Sequence, residues 1–131
     1  MSAIEIVIDS LHPARLARFW AEALPGYRVR EYVAEEIARL AARGLTPETD
    51  PSVAVDGAGP TLWFQQTERP KTERNRIHLD LRCRDRAAER ARLTGLGARV
   101  RDEHPHHTVM LDPEGNEFCL VDAAPDDHSA S

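Results

Sequence analysis

The chain has 131 residues, of which 41% are hydrophobic and 30% are charged, and its formal net charge is -5. This length suffices for one domain with a buried core. The acidic balance argues against nucleic acid as a partner, because phosphate binding needs a basic surface. No apolar run approaches the roughly 20 residues that cross a bilayer, so no membrane partner is expected.

The cysteine content and the N-terminal sequence bear on the compartment. Cys83 and Cys119 are the two cysteines, too few for a disulfide scaffold. The first residues show no basic segment followed by an apolar core, the pattern of a secretory signal. We therefore expect a cytoplasmic protein.

The first half of the chain predicts a strand, a helix and further strands. Residues 3–9 alternate between apolar and other residues, which indicates a strand. A helix follows from Pro13, with Ser10 or His12 as its cap, and ends at Pro25. The apolar residues at helical spacing that form its buried face are Leu16, Phe19, Trp20 and Ala23. The remaining predicted elements are a short strand over 27–32, a second helix, and strands over 53–55 and 61–66. The second helix is marked by Val33, Ile37, Leu40 and Ala41, with Gly44 as its C-terminal cap.

The second half repeats this order after a polar connector. Residues 67–75 are charged and contain Pro70, and they are too few to separate independent domains. The predicted elements are then a strand over 76–82, a helix over about 86–95 capped by Asp85, strands near 98–102, 107–111 and 117–121, and a tight turn over 112–116.

The repetition itself predicts the architecture. Two copies of one pattern about seventy residues apart indicate a pseudo-symmetric domain. We expect an α+β fold in which two βαβββ-type modules, about 1–67 and 76–122, form one concave, mixed but antiparallel-rich sheet. A single domain over 1–125 and a frayed tail over 126–131 follow. The polar positions Glu5 and His78 should point into a cavity on the concave face.

Three segments carry a resemblance to a known family. They are HPARLARFW at 12–20, RIHLDL at 76–81 and DPEGNEF at 112–118. They resemble the first helix, the opening strand of the second module and the last turn of the vicinal-oxygen-chelate superfamily, which includes glyoxalases, bleomycin-resistance proteins and dioxygenases. The resemblance implies the fold just described.

The resemblance also implies four positions for metal ligands, one on the first and one on the last strand of each module. They fall on Glu5, on Leu62 or Trp63, on His78 and on Cys119. The second is not a ligand, and a cysteine replaces the usual carboxylate. No metal cofactor is therefore favoured. A divalent metal held by Glu5, His78 and Cys119 stays open, and Glu117 lies one step nearer the turn on the same strand face.

The expected cavity suits a small molecule that is part apolar and part hydrogen-bonding. Its predicted lining is Glu5, His78, Trp63, Phe64 and Cys119. We expect a glyoxalase-like small-molecule-binding protein of the antibiotic-binding or sequestration type, without the usual metal site and with no assigned catalytic residue. The alternative is a metal-dependent lyase, isomerase or dioxygenase of the same superfamily. The resemblance favours a homodimer, and a C2 dimer is also the commonest closed arrangement of soluble chains.

Two further features have competing interpretations. His104, His106 and His107 straddle Pro105, and a solvated hairpin loop is favoured over a metal site. If that loop borders the cavity, His106 or His107 would contact a ligand. Trp20 lies on the buried stripe of the first helix, and core packing is favoured for it.

Overall fold

A computed structural model describes residues 3–123, which contain three helices and eight strands. The chain divides into two compact units, Met1–Pro70 and Lys71–Ser131. In the first unit the elements are β1 (Glu5–Ser10), α1 (Pro13–Ala23), β2 (Arg28–Val29), α2 (Ala34–Ala42), β3 (Ser52–Asp56) and β4 (Thr61–Gln66). In the second unit they are β5 (Leu79–Cys83), α3 (Arg86–Gly95), β6 (Arg99–Glu103), β7 (His107–Leu111) and β8 (Glu117–Asp122).

The described strands form two four-stranded mixed sheets with the same order. The first sheet runs β1-β4-β3-β2 and the second runs β5-β8-β7-β6. In each sheet the first strand pairs in parallel with the last, and the other neighbours are antiparallel. The predicted α+β fold with two βαβββ-type modules is therefore confirmed, and the expected single sheet is resolved into one four-stranded sheet per module. The first module carries α2 as an additional helix.

The apolar stripe of α1 covers one face of the first sheet. Leu16, Phe19, Trp20 and Ala23 are each at most 5% exposed, as their spacing predicts. They pack against strands whose alternate residues point towards the helix, among them Val53, Val55, Leu62 and Phe64. The opposite face of this sheet is left for other contacts.

In the second unit, α3 covers one face of the second sheet in the same way. Asp85 caps it, because its side chain accepts a hydrogen bond from the Ala88 backbone N–H at 3.0 Å. Leu93 is fully buried against a core that includes Met110, Phe118 and Leu120. Cys83 is also buried, as its strand parity predicts.

The turn before β8 is held by one buried carboxylate. Asp112 is fully buried, and its side chain accepts hydrogen bonds from the backbone N–H groups of Glu114 and Asn116 and from the Asn116 amide. Gly115 has a φ of +89°, a conformation that favours glycine. The predicted tight turn over 112–116 is thus confirmed.

Two predicted strands are shorter than expected. The strand over 27–32 is reduced to Arg28–Val29: the Arg30 backbone N–H still donates to the Ala54 carbonyl at 2.9 Å, and the chain then enters α2. The strand over 76–82 begins only at Leu79. Before it, the Asn75 backbone N–H bonds to the Glu117 carboxylate, and Ile77 is 83% exposed.

None of the helices in residues 3–123 combines the length and the hydropathy that a bilayer crossing requires. The expected tail over 126–131 lies outside the described residues.

Candidate functional site

The two aromatic residues of β4 lie on opposite faces of the first sheet. Phe64 is fully buried against α1, so the prediction that it lines the cavity is wrong. Trp63 is half-buried and lies on the other face, which α1 leaves uncovered. Successive residues of a strand point to opposite faces, so only one of the pair can meet a ligand.

Trp63 is the centre of a network of charged side chains. Its indole N–H donates a hydrogen bond to Glu5 Oε2 at 3.0 Å, and the Arg30 guanidinium carbon lies 5.0 Å from its ring centroid. Arg30 also donates two hydrogen bonds to the Asp56 carboxylate, at 2.8 and 2.9 Å. These bonds lower the pKa of Asp56 and raise that of Arg30. The ring is therefore fixed from two sides, by an anion at its edge and a cation on its face.

A small pocket lies next to this network. Its volume is about 40 Å³, and it is lined by Trp63, Tyr32, Glu31, Glu36 and Asp50 among others. The Tyr32 hydroxyl donates to Asp50 Oδ2 at 2.6 Å. Burial and this carboxylate raise the pKa of Tyr32, which keeps the hydroxyl protonated as a donor.

A second groove, of about 440 Å³, lies at the start of α1. His12, Arg15, Glu48 and Asp50 are among its lining residues. The Glu48 carboxylate is engaged by two hydrogen bonds from Arg18, at 2.7 and 2.8 Å. This groove contains none of the residues that the sequence predicts for the cavity.

In the second unit, three potential metal ligands lie together. One ligand atom each from His78, Asp80 and Cys119 lies within 4.8 Å of the others. His78 Nε2 is 3.2 Å from Asp80 Oδ1, and Asp80 is the register partner of Cys119 in the β5–β8 ladder. Burial raises the pKa of the Cys119 thiol, and the charge of Asp80 adds to this effect. His78 and Cys119 were predicted site residues, whereas Asp80 was missed.

Glu117 is committed to a different contact. Its carboxylate accepts hydrogen bonds from the Asn75 backbone N–H at 2.8 Å and from Lys71 Nζ at 3.0 Å, and Arg101 lies at 3.3 Å. Burial alone would raise the pKa of Glu117, but these donors hold it below its usual value. The side chain ties the connector to β8, so it is a poor candidate for a metal ligand.

The histidine-bearing loop between β6 and β7 is organised by Arg86. This guanidinium donates to the backbone oxygens of His104 and Pro105 at 3.0 and 2.7 Å. The rings of His104 and His107 stack with their centroids 4.4 Å apart, and His106 is exposed beside Asp122. Within residues 3–123, the only group of three or more side chains arranged for a metal is the one at His78, so the interpretation as a structural loop is favoured.

Each of the two predicted polar residues thus has a partner within its own unit. Glu5 accepts from Trp63 in the first unit, and His78 contacts Asp80 in the second. That Glu5 and His78 face one cavity stays a prediction. Arg30 and Tyr32 were also missed, because their partners Asp56 and Asp50 are distant in sequence.

Comparison with known proteins defines the class. A family model for the glyoxalase-like domain matches residues 5–121, and the chain belongs to this family. No curated protein matches the chain. The chain adopts the fold of the glyoxalase, bleomycin-resistance and dioxygenase superfamily, as the resemblance implies.

Solved structures agree on the fold. The fosfomycin resistance protein FosX from Listeria monocytogenes is 12% identical, with a TM-score of 0.65 over 94% of this chain and 92% of that one. FosX from Mesorhizobium loti is 17% identical, with a TM-score of 0.62 over 99% and 98%. A glyoxalase/bleomycin resistance protein/dioxygenase family enzyme from Burkholderia phytofirmans is 14% identical, with a TM-score of 0.60 over 92% and 97%. At these identities the similarity shows the fold alone.

One such structure, of a variant of the Listeria protein, contains Mn(II) and 1S,2S-dihydroxypropylphosphonic acid. Manganese prefers oxygen and imidazole ligands, whereas a thiol is soft. The set formed by His78, Asp80 and Cys119 therefore fits zinc better than manganese. If zinc bound there, it would act as a Lewis acid on a substrate oxygen.

Proposed function

We propose that the protein binds a small organic molecule, in the manner of antibiotic-binding or sequestering proteins, without the metal that its superfamily commonly uses. The site is the uncovered face of the first sheet around Trp63, Glu5 and Arg30. The observation that carries this proposal is the hydrogen bond from the Trp63 indole to Glu5. Glu5, at the position expected for one metal ligand, is therefore bound to an indole. The aromatic ring of Trp63 lies where a second metal ligand is expected.

The chemistry of this face suits recognition. An indole ring whose N–H is anchored by Glu5 offers a defined surface for stacking, and rigidity lowers the entropy lost on binding. Glu5 adds an acceptor, and the exposed Val7 on the same face of β1 adds apolar surface. A ligand that is part apolar and part hydrogen-bonding is supported by this combination.

The proposal is tested by recording the two tryptophan indole N–H signals by NMR during a fragment screen. A ligand at the proposed face should shift the signal of Trp63 and leave that of the buried Trp20 unchanged. Glu5→Gln should weaken binding by about 0.5–1.5 kcal/mol, the usual net worth of one hydrogen bond. Asp9→Asn is the matched control, because Asp9 lies on the same face of β1 and two residues beyond Val7. Fragments that shift only Trp20, or none that shift Trp63, would overturn the proposal.

A second candidate is a metal-dependent lyase, isomerase or dioxygenase. The cluster of His78, Asp80 and Cys119 favours it. Elemental analysis of protein purified without chelator or affinity tag separates the two candidates. Close to one zinc per chain, lost in His78→Ala but kept in the exposed control His106→Ala, would favour the enzyme. Absence of bound metal in all three proteins would favour the first proposal.

A further inference from the structure

The ring of Trp63 is occupied by a cation that belongs to the protein itself. The Arg30 guanidinium lies over the ring at 5.0 Å and is held by Asp56. The charges of Glu5 and Glu36 also act on Arg30 and add to the rise of its pKa. An aromatic face surrounded by carboxylates is a favourable environment for a cation. Arg30 shows that a guanidinium fits this environment.

The surroundings carry more negative charge than Arg30 neutralises. Three carboxylates, from Glu31, Glu36 and Asp50, line the small pocket beside the ring. With Glu5 and Asp56 there are five carboxylates around the ring, and two guanidinium groups, of Arg30 and Arg28, oppose them. Arg28 lies near enough to Asp56 to lower the pKa of that carboxyl. The excess of negative potential favours positively charged ligands.

From these contacts we propose that the site around Trp63 selects an organic cation, carrying a protonated amine or a guanidinium group. The inference rests on the proposed function and names the class of its ligand. The pocket of about 40 Å³ exceeds the roughly 10–15 Å³ that a cavity needs to hold one water molecule, and an ammonium group is of similar size to water. The charged group would lie between Trp63 and the pocket carboxylates, and the apolar part would cover Val7.

Arg30 then acts as a competitor for the ring. Its side chain is exposed, so it can leave the ring while Asp56 still neutralises it. A cationic ligand therefore exchanges one cation–ring contact for another. Removing the Arg30 guanidinium should strengthen the binding of cations, which is the opposite of what a supporting residue would show.

Three probes of matched size test the charge selectivity. They are n-butylguanidinium, its neutral analogue N-butylurea, and n-butylphosphonate as an anion. The Trp63 indole signal should shift with n-butylguanidinium at lower concentrations than with either of the others. Binding of the urea or the phosphonate at least as tightly as the guanidinium would overturn the inference and leave the proposed function standing.

Two pairs of variants test the residues. Arg30→Met should bind n-butylguanidinium roughly two- to fivefold more tightly than the wild type, the effect of one exposed cation–ring contact. Arg28→Met removes the same charge without removing the cation that lies over the ring. It should not strengthen binding to the same extent as Arg30→Met. Glu36→Gln should weaken binding by roughly two- to fivefold, as expected for an exposed charge pair. Its control, Glu35→Gln, removes a charge from the same helical turn outside the pocket.

The outcomes separate this inference from the proposed function. If Arg30→Met weakens the binding of n-butylguanidinium, or if Glu35→Gln and Glu36→Gln have equal effects, the cation site is wrong. If n-butylguanidinium leaves Trp63 unchanged while a neutral or anionic fragment shifts it, the inference fails alone. If no fragment of any charge shifts Trp63, both fail.

Discussion

The division of β4 into a core face and a proposed binding face makes a quantitative prediction about stability. Phe64 is fully buried, so Phe64→Ala should destabilise the fold by about 3–5 kcal/mol, the usual cost of emptying a buried aromatic site. Trp63 is larger but half-buried. Its defined polar contacts are one hydrogen bond, of about 0.5–1.5 kcal/mol, and one exposed cation–ring contact, of about 0.5–1 kcal/mol. Trp63→Ala loses these contacts, about 1–2.5 kcal/mol in all, together with part of its apolar burial. It leaves no closed cavity, however, so it should cost less than Phe64→Ala.

Urea denaturation followed by far-ultraviolet circular dichroism measures both costs. In Trp63→Ala the buried Trp20 still reports unfolding by fluorescence, so two probes can be compared in one variant. Phe64→Leu provides a milder core variant if Phe64→Ala does not fold, and its cost should lie between zero and that of the alanine variant. A Trp63→Ala cost equal to or larger than that of Phe64→Ala would refute the assignment of Trp63 to a binding face.

Three further predictions concern the second unit and assembly. Asp112→Ala should destabilise the protein by about 3 kcal/mol in thermal or urea unfolding, because three hydrogen-bond donors lose a buried acceptor. The pKa of Glu117 is lowered, so its stabilising contribution is present above the unfolded glutamate pKa of about 4.3 and is lost as the pH falls through the folded value. The stability difference between wild type and Glu117→Gln, measured by urea titration, should therefore shrink on acidification below that range; a constant difference would contradict the assignment. Light scattering at tens of micromolar should show a homodimer, and a monomer would count against the symmetry argument.

The sequence was sufficient for the fold because its local patterns agree with one another. The stripe of α1, the Asp85 cap and the turn at Asp112 each have a local cause that does not depend on distant contacts. The repeated order of elements then predicted the two modules.

The site was predicted less completely because it depends on which face a strand presents and on long-range partners. Trp63 and Phe64 are neighbouring aromatic residues, and the pattern alone did not separate the half-buried residue from the core residue. Asp80 shares strand parity with His78, so parity alone could have added it to the predicted cluster. Arg30 approaches Trp63 across 33 residues of sequence, and nothing local predicts that contact.

The beginning of β5 illustrates the same limit. Alternation predicted a strand from residue 76, but the ladder begins only at Leu79. Just before the predicted strand, the Asn75 backbone N–H bonds to the Glu117 carboxylate, 42 residues away in sequence. Local alternation contains no information about such a tertiary contact.

The most direct test of the central claim is the Trp63 indole N–H signal in a titration with n-butylguanidinium, carried out with a chelator present. This signal should shift in a saturable way, the Trp20 signal should not shift, and the chelator should leave the affinity unchanged. A shift that appears only when zinc is added, or a fragment screen in which the Trp63 signal never moves, would contradict metal-independent ligand binding at this face.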